Sequence, residues 1–259
     1  MFILKLGGSV ITNKSIKNTF KKDIVDRLSK EIKKANKEVI IIHGAGSFGH
    51  ILAKKYDLNN GYKNKKQLQG FAQTHTNVQQ LDTMVLQSLQ ENNIPAISIA
   101  PHAIMKLDNH KPLKVDYEVF DDCLKQGLIP VTFGDIVLDK TLGFSICSGD
   151  LLIDILSKHF KPEKVIFVID EDGIYSSNPK TDKNAELIKT TTIDSLEKLT
   201  VSMDKHADVT KGMKGKIDTI KSIASNGIDI VLLNGNKPDR LFKVLINEKI
   251  KCTQVYGVK

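Results

Sequence analysis

Residues 38–50 read Glu-Val-Ile-Ile-Ile-His-Gly-Ala-Gly-Ser-Phe-Gly-His. Glu38 to Ile42 is a β-branched run, the pattern of a strand buried on both faces of a parallel sheet. The glycine-rich segment from Gly44 to Gly49 then forms a turn, and a helix is expected to follow it. The same strand-to-helix handover recurs on either side. Phe2 to Leu6 is a short apolar strand that runs into Gly7-Gly8. Further strands are predicted over 94–99, 128–133, 164–169 and 228–233, and helices over 20–36, 65–92, 148–159, 211–226 and 238–246. Gly134 to Leu138 starts a hairpin. Strands alternating with helices imply an α/β protein, a three-layer αβα sandwich with a mainly parallel central sheet. Right-handed crossovers place the C-terminal ends of the strands on one edge, where ligands bind in such folds.

Bulk properties narrow the classes. A chain of 259 residues with 41% apolar residues can bury a full core, and no Pro/Gly/Ser-rich linker divides it, so one compact unit is expected. No apolar run approaches the roughly 18 residues of a membrane span. Met1 to Val10 is too short, and too soon broken by Gly7 and Gly8, to act as a signal peptide. Cys123, Cys147 and Cys252 are far apart and form no Cys-x-x-Cys pair, so neither a zinc site nor a disulfide framework is implied, and a reducing, cytoplasmic setting is expected. The net charge of +8 comes from scattered lysines without a nucleic-acid recognition motif. It reads as a solvated basic surface, some of which can supply local positive charge to a site that gathers phosphates.

Five stretches at predicted strand ends or helix starts carry candidate chemistry. Lys5-Leu6-Gly7-Gly8-Ser9 puts an ammonium beside backbone that a phosphate can approach closely. Gly44 to His50 opens a helix, whose free N–H groups and dipole favour an anion. Gly44, Gly46 and Gly49 match Gly-x-Gly-x-x-Gly, but no Gly-Lys-Ser/Thr ending makes it a Walker A loop, and no acid after a second strand makes it a dinucleotide site. Ser148-Gly149-Asp150 begins another helix, where Ser148 also suits an ordinary N-cap. Asp170-Glu171-Asp172-Gly173-Ile174-Tyr175, with Asn178-Pro179, offers acids for a divalent cation or for polar groups of a nucleotide, and reads equally as a polar turn. Asp208 to Lys216 brings glycines and lysines to a helix start. His43, His75, His102, His110, His159 and His206 lack metal-ligand spacing such as His-Glu-x-x-His, so no chemistry is assigned to them.

In this order the stretches resemble the amino acid kinase family over nearly the whole chain, from Lys5 to Lys216, and His43 to His50 resembles its isopentenyl phosphate kinase branch. Lys14, Gly134-Asp135 and Ser148-Gly149-Asp150 match that branch too. One departure is Lys211, which stands where the family often has glycine. The resemblance implies that ATP and Mg²⁺ are used to phosphorylate isopentenyl phosphate to the diphosphate in isoprenoid synthesis. It implies an acceptor lobe over 1–150, a nucleotide lobe over 151–259 and a homodimer. Nucleotide contacts are then expected from Lys5, Gly7, Gly8, Ser9, Gly46, Asp170, Gly173, Ile174, Tyr175, Pro179, Gly212 and Lys216. Acceptor contacts are expected from Gly44, Ala45, Gly49, His50, Ser148 and Gly149, with no protein ligand assigned to a metal. Lys5, Lys14, His50 and Lys216 carry the catalytic expectation, and Phe71, Val78, Phe133 and Ile146 are candidates to line a pocket for a hydrocarbon tail. The rival readings are a kinase of this fold acting on fosfomycin or another small anion, a nucleotide-binding module without turnover, and a dinucleotide-dependent oxidoreductase.

Overall fold

The computed structural model describes residues 1–13, 15–196 and 211–258, with residues 211–214 as backbone only. The strands are β1 Phe2–Leu6, β2 Val39–His43, β3 Ala96–Ser98, β4 Met105–Asp108, β5 Lys111–Val115, β6 Ile129–Phe133, β7 Asp135–Asp139, β8 Gly143–Cys147, β9 Lys164–Ile169, β10 Thr190–Thr191, β11 Asp229–Asn234 and β12 Thr253–Val255. The helices are α1 Gly8–Ile11, α2 Lys22–Ala35, α3 Gly46–Lys55, α4 Lys66–Glu91, α5 Pro101–Ile104, α6 Glu118–Lys125, α7 Gly149–Phe160, α8 Lys211–Ser225 and α9 Arg240–Leu245.

Eight strands form one sheet in the order β10-β12-β11-β9-β1-β2-β6-β3. Every pairing in it is parallel except β11 with β12. The β-branched runs fold this way because alternate residues of each strand leave opposite faces. Ile3, Ile40, Ile42, Val165, Phe167, Ile230 and Leu232 enter one core with Leu152 and Leu156 of α7 and Ile217, Ile220 and Ile223 of α8. Phe2, Leu4, Val39, Ile41, Ile166, Val168 and Leu233 enter the other, against Val25 and Leu28 of α2, Leu81 and Val85 of α4, and Leu241 of α9. The three layers expected from the sequence are therefore present, and the sheet is continuous from the first half of the chain into the second. Among the described residues no helix is long and apolar enough to cross a membrane.

A second sheet, ordered β5-β4-β7-β8, was not anticipated beyond the β7–β8 hairpin. Its edge strand β5 reads Lys-Pro-Leu-Lys-Val and is largely exposed, so it carries no apolar pattern to announce it; lysine and proline are what an unprotected edge tends to carry. The chain passes between the sheets at Gly134, where β6 ends and β7 begins. Asp139 fixes the far end of this sheet. Its carboxylate accepts hydrogen bonds from the N–H groups of Asn109, His110, Thr141 and Leu142 and from the Ser145 hydroxyl.

Candidate active site

The ladder of the parallel sheet runs one residue beyond the strands. Gly7 N–H donates to Val168 O at 2.8 Å, Gly44 to Leu6 O at 3.0 Å, Gly134 to His43 O at 2.9 Å and Gly235 to Ile169 O at 2.8 Å. The loops after β1, β2, β6 and β11 are thereby held side by side on one edge. There is no room between them for side chains. A Cβ on Gly8 would lie 2.8 Å from N and Cα of Gly46, and one on Gly44 would lie 2.8 Å from Gly8 N. Gly46 has φ +49°, a left-handed backbone that favours glycine, and its missing side chain would run into Thr12. Thr12 ties the two loops together: its hydroxyl donates to Gly8 O at 2.6 Å and accepts from Ser47 N–H at 3.1 Å. A Cβ on Gly134 would stand 3.2 Å from Gly149 N and 3.5 Å from Ala45 N. Gly8, Gly44, Ala45, Gly46, Gly134 and Gly149 thus meet in a floor of nearly bare backbone.

Charge is placed against this floor. Lys5 Nζ lies 2.5 Å from Asp150 Oδ1, and Lys216 Nζ lies 3.5 Å from the same oxygen. Both ammonium groups also lie over the Phe167 ring, 5.7 and 5.4 Å from its centroid. Burial, and then the nearby Lys216, pull the Lys5 pKa down to about 8, while Asp150 opposes them. Burial works against ionisation of Asp150, but Lys5 and Lys216 outweigh it and hold its carboxyl below the ordinary range. The trio carries one net positive charge in a largely dry setting. Asp150 stood in one of the sequence stretches but was not assigned a role. The sign available in the sequence was an acid in the first turn of a helix that starts at the site.

The loop after β9 divides its acids. Asp170 accepts from the Ser9 hydroxyl at 3.0 Å and lies 3.6 Å from Lys180 Nζ. Asp172 instead pairs with Arg240 at 2.6 Å and Lys251 at 2.8 Å, which makes it a tie to the C-terminal segment. Gly173 packs against Thr253, whose hydroxyl accepts from Ile174 N–H at 2.8 Å. Ile174 is buried, Tyr175 bridges to Leu187, and Pro179 is exposed. Gly212 is seen only as backbone of α8, and Lys14 and residues 208–210 lie outside the described residues.

Among the residues expected to contact the acceptor, His50 is an exposed residue of α3, one turn beyond Gly46. Gly49 is buried, and a Cβ there would come within 3.1 Å of Val78. The Ser148 hydroxyl accepts from Leu151 N–H at 3.1 Å, so its side chain is the N-cap of α7. Of the candidates for the tail pocket, Phe71 and Ile146 come together around Phe144, Leu58 and Ile136. Val78 and Phe133 are fully buried, and Phe133 stacks on His43 with ring centroids 5.4 Å apart. Three histidines left without a role acquire partners. His43 Nε2 lies 3.1 Å from Asp82, which also accepts from Ser98 Oγ at 2.6 Å, and His75 and His102 meet at Asp135. No sequence spacing signals these contacts, because each joins separate elements.

Comparison with known proteins agrees with this geometry. Residues 1–234 match the model of the amino acid kinase family. The chain is 36% identical to the isopentenyl phosphate kinase of Methanothermobacter thermautotrophicus over 99% of both chains, and 33% identical to that of Methanocaldococcus jannaschii over 95% of both. A crystallographic isopentenyl phosphate kinase superposes with a TM-score of 0.87 at 33% identity, covering 98% of this chain and 99% of the other. With that match, and with glycine loops and two lysines converging on one sheet edge, this chain belongs to the amino acid kinase family.

Proposed function

We propose that the protein transfers the γ-phosphoryl group of ATP to isopentenyl phosphate, giving ADP and isopentenyl diphosphate. The observation that carries this reading is the meeting of Lys5 from β1 and Lys216 from α8 on Asp150, against a floor of glycine backbone. The named relatives act on the same acceptor.

A phosphate monoester is already anionic, so its oxygen needs no general base. The obstacle is repulsion between it and the phosphoryl group it attacks. Two unit charges about 4 Å apart cost about 4 kcal/mol at an effective dielectric of 20. Cations and oriented N–H donors remove that cost, and they cost little reorganisation because the fold sets them in advance. Lys5 and Lys216 supply the cations. Asp150 holds the two side chains together and favours the ammonium form of Lys5 before the phosphates arrive. The bare backbone of Gly8, Gly44 and Gly46 lets phosphate oxygens come close, and His50 is assigned to the acceptor phosphate. The glycine cradle and the paired lysines suit nucleotide phosphates. Mg²⁺ bound to those phosphates would supply further charge neutralisation. Asp170, which accepts from the Ser9 hydroxyl beside the glycine loop, is assigned to the nucleotide side.

The division into an acceptor lobe over 1–150 and a nucleotide lobe over 151–259 belongs to the same proposal. So does a homodimer: β3 is the edge of the large sheet and exposes Ile97. Free thiols at Cys123, Cys147 and Cys252 suit the cytoplasm. Light scattering tests the dimer. A panel with ATP and Mg²⁺ tests the function, using isopentenyl phosphate, dimethylallyl phosphate, longer prenyl phosphates and fosfomycin as acceptors. The highest kcat/KM is expected with isopentenyl phosphate. A higher value with fosfomycin, or ATP binding without turnover on any acceptor, refutes the reading.

A further inference from the structure

Asp135, the first residue of β7, has a fully buried side chain, and a buried carboxylate needs a cationic partner. No lysine or arginine among the described residues makes an ion pair with it. Two imidazoles face it instead, His75 from α4 and His102 from α5. His75 Nδ1 lies 2.9 Å from Asp135 Oδ2, and His102 Nδ1 lies 3.7 Å from the same atom. The two rings stand edge to face with centroids 4.2 Å apart. One ligand atom from each of the three residues falls within a common span of 4.8 Å.

We propose that His75, His102 and Asp135 bind one divalent transition-metal ion of the zinc type. The argument is geometric and chemical. A separation of 3.7 Å is too long for a hydrogen bond between His102 and Asp135. It is close to the spacing of two donors on one tetrahedral ion, about 3.3–3.6 Å for bonds of about 2.0–2.2 Å. The His75–Asp135 pair is a little tighter and opens by a few tenths of an ångström when coordinate bonds replace its hydrogen bond. Two imidazoles and a carboxylate suit zinc-type ions better than Mg²⁺, which prefers oxygen. Three protein ligands leave a further position for water on the solvent side, where His75 and His102 are 19% and 39% exposed. The ligands come from three separate elements, so the ion cross-links α4 and α5 to β7. That link begins one residue after Gly134, whose backbone forms part of the phosphate floor. The site is distinct from the lysine cluster and stands whether or not the proposed acceptor is correct.

The test uses the full chain after chelation and dialysis. Co²⁺ is titrated while its visible d–d bands are followed. Zn²⁺ is then titrated calorimetrically with excess Mg²⁺ present. One equivalent of Co²⁺ is expected, displaced by Zn²⁺. His75→Ala and His102→Ala should each weaken Zn²⁺ binding at least about tenfold, and the double variant should lose it, while the exposed His110→Ala binds like the parent. Zn²⁺ should raise the thermal midpoint of the parent and not of His102→Ala, an exposed substitution that leaves the core intact. Absence of saturable binding to the parent, or parent-like binding by the double variant, overturns the assignment.

Discussion

Replacing Asp150 by Asn tests the charge trio directly. In the parent, Lys5 titrates at about 8, so at pH 7 about nine-tenths of it is charged. The sign follows from its lowered pKa: the ammonium form is present below 8 and is lost as the pH rises through it. Asp150 is the carboxylate that resists this loss. A unit charge at about 4 Å and an effective dielectric of 20 contributes about 4 kcal/mol, nearly a thousandfold in the protonation equilibrium. The Asp150 side chain is 28% exposed, so solvent screening reduces this to about 10- to 100-fold. The alkaline limb of kcat/KM for ATP, which reports the free enzyme, should therefore move from about pH 8 in the parent to about pH 6–7 in Asp150→Asn. At pH 7.5 the variant should be about 3- to 25-fold slower and should recover as the pH is lowered toward 6. An alkaline limb that stays in place, or a defect that persists at low pH, would refute the electrostatic role given to Asp150.

His50→Ala should lower kcat with the phosphate acceptor by about 100-fold or more while ATP affinity, measured by titration, stays close to the parent's. Gly8→Ala should cost about 1–3 kcal/mol in denaturant unfolding, because the new Cβ meets backbone of Gly46 at 2.8 Å. The same variant should lose about 100-fold or more in kcat/KM, since the two loops must part. Asp139→Asn should destabilise the fold by about 2–3 kcal/mol at pH 7 in urea melts, since its carboxylate serves four N–H groups and a hydroxyl. Burial opposes its ionisation, but those donors hold its pKa well below the ordinary range. Its stabilisation is therefore present above that range, and the gap between parent and variant should shrink as the pH falls below about 4.

The central sheet was legible in the sequence because parallel strands buried on both faces leave unbroken apolar runs. Glu38 to Ile42 and Lys164 to Ile169 could be read without knowing their neighbours. The long helix was legible too: 65–92 was expected and Lys66–Glu91 was found. The glycines of the site could be picked out because only they allow loops to touch, although which loops touch was not written in their spacing. The second sheet escaped because β5 is exposed and β4 is short, so neither leaves a periodic trace.

By itself, then, the sequence determined the αβα layering and singled out Lys5, Lys216 and the glycines that the fold gathers at one sheet edge. These follow from local periodicity and from the conformational freedom of single residues. Only the tertiary structure decided that Lys5 and Lys216 share Asp150, that Asp172 ties down Arg240 and Lys251, and that two histidines close on Asp135. Each of those pairings joins residues far apart in the chain, and their energies arise only when folding removes water from between them.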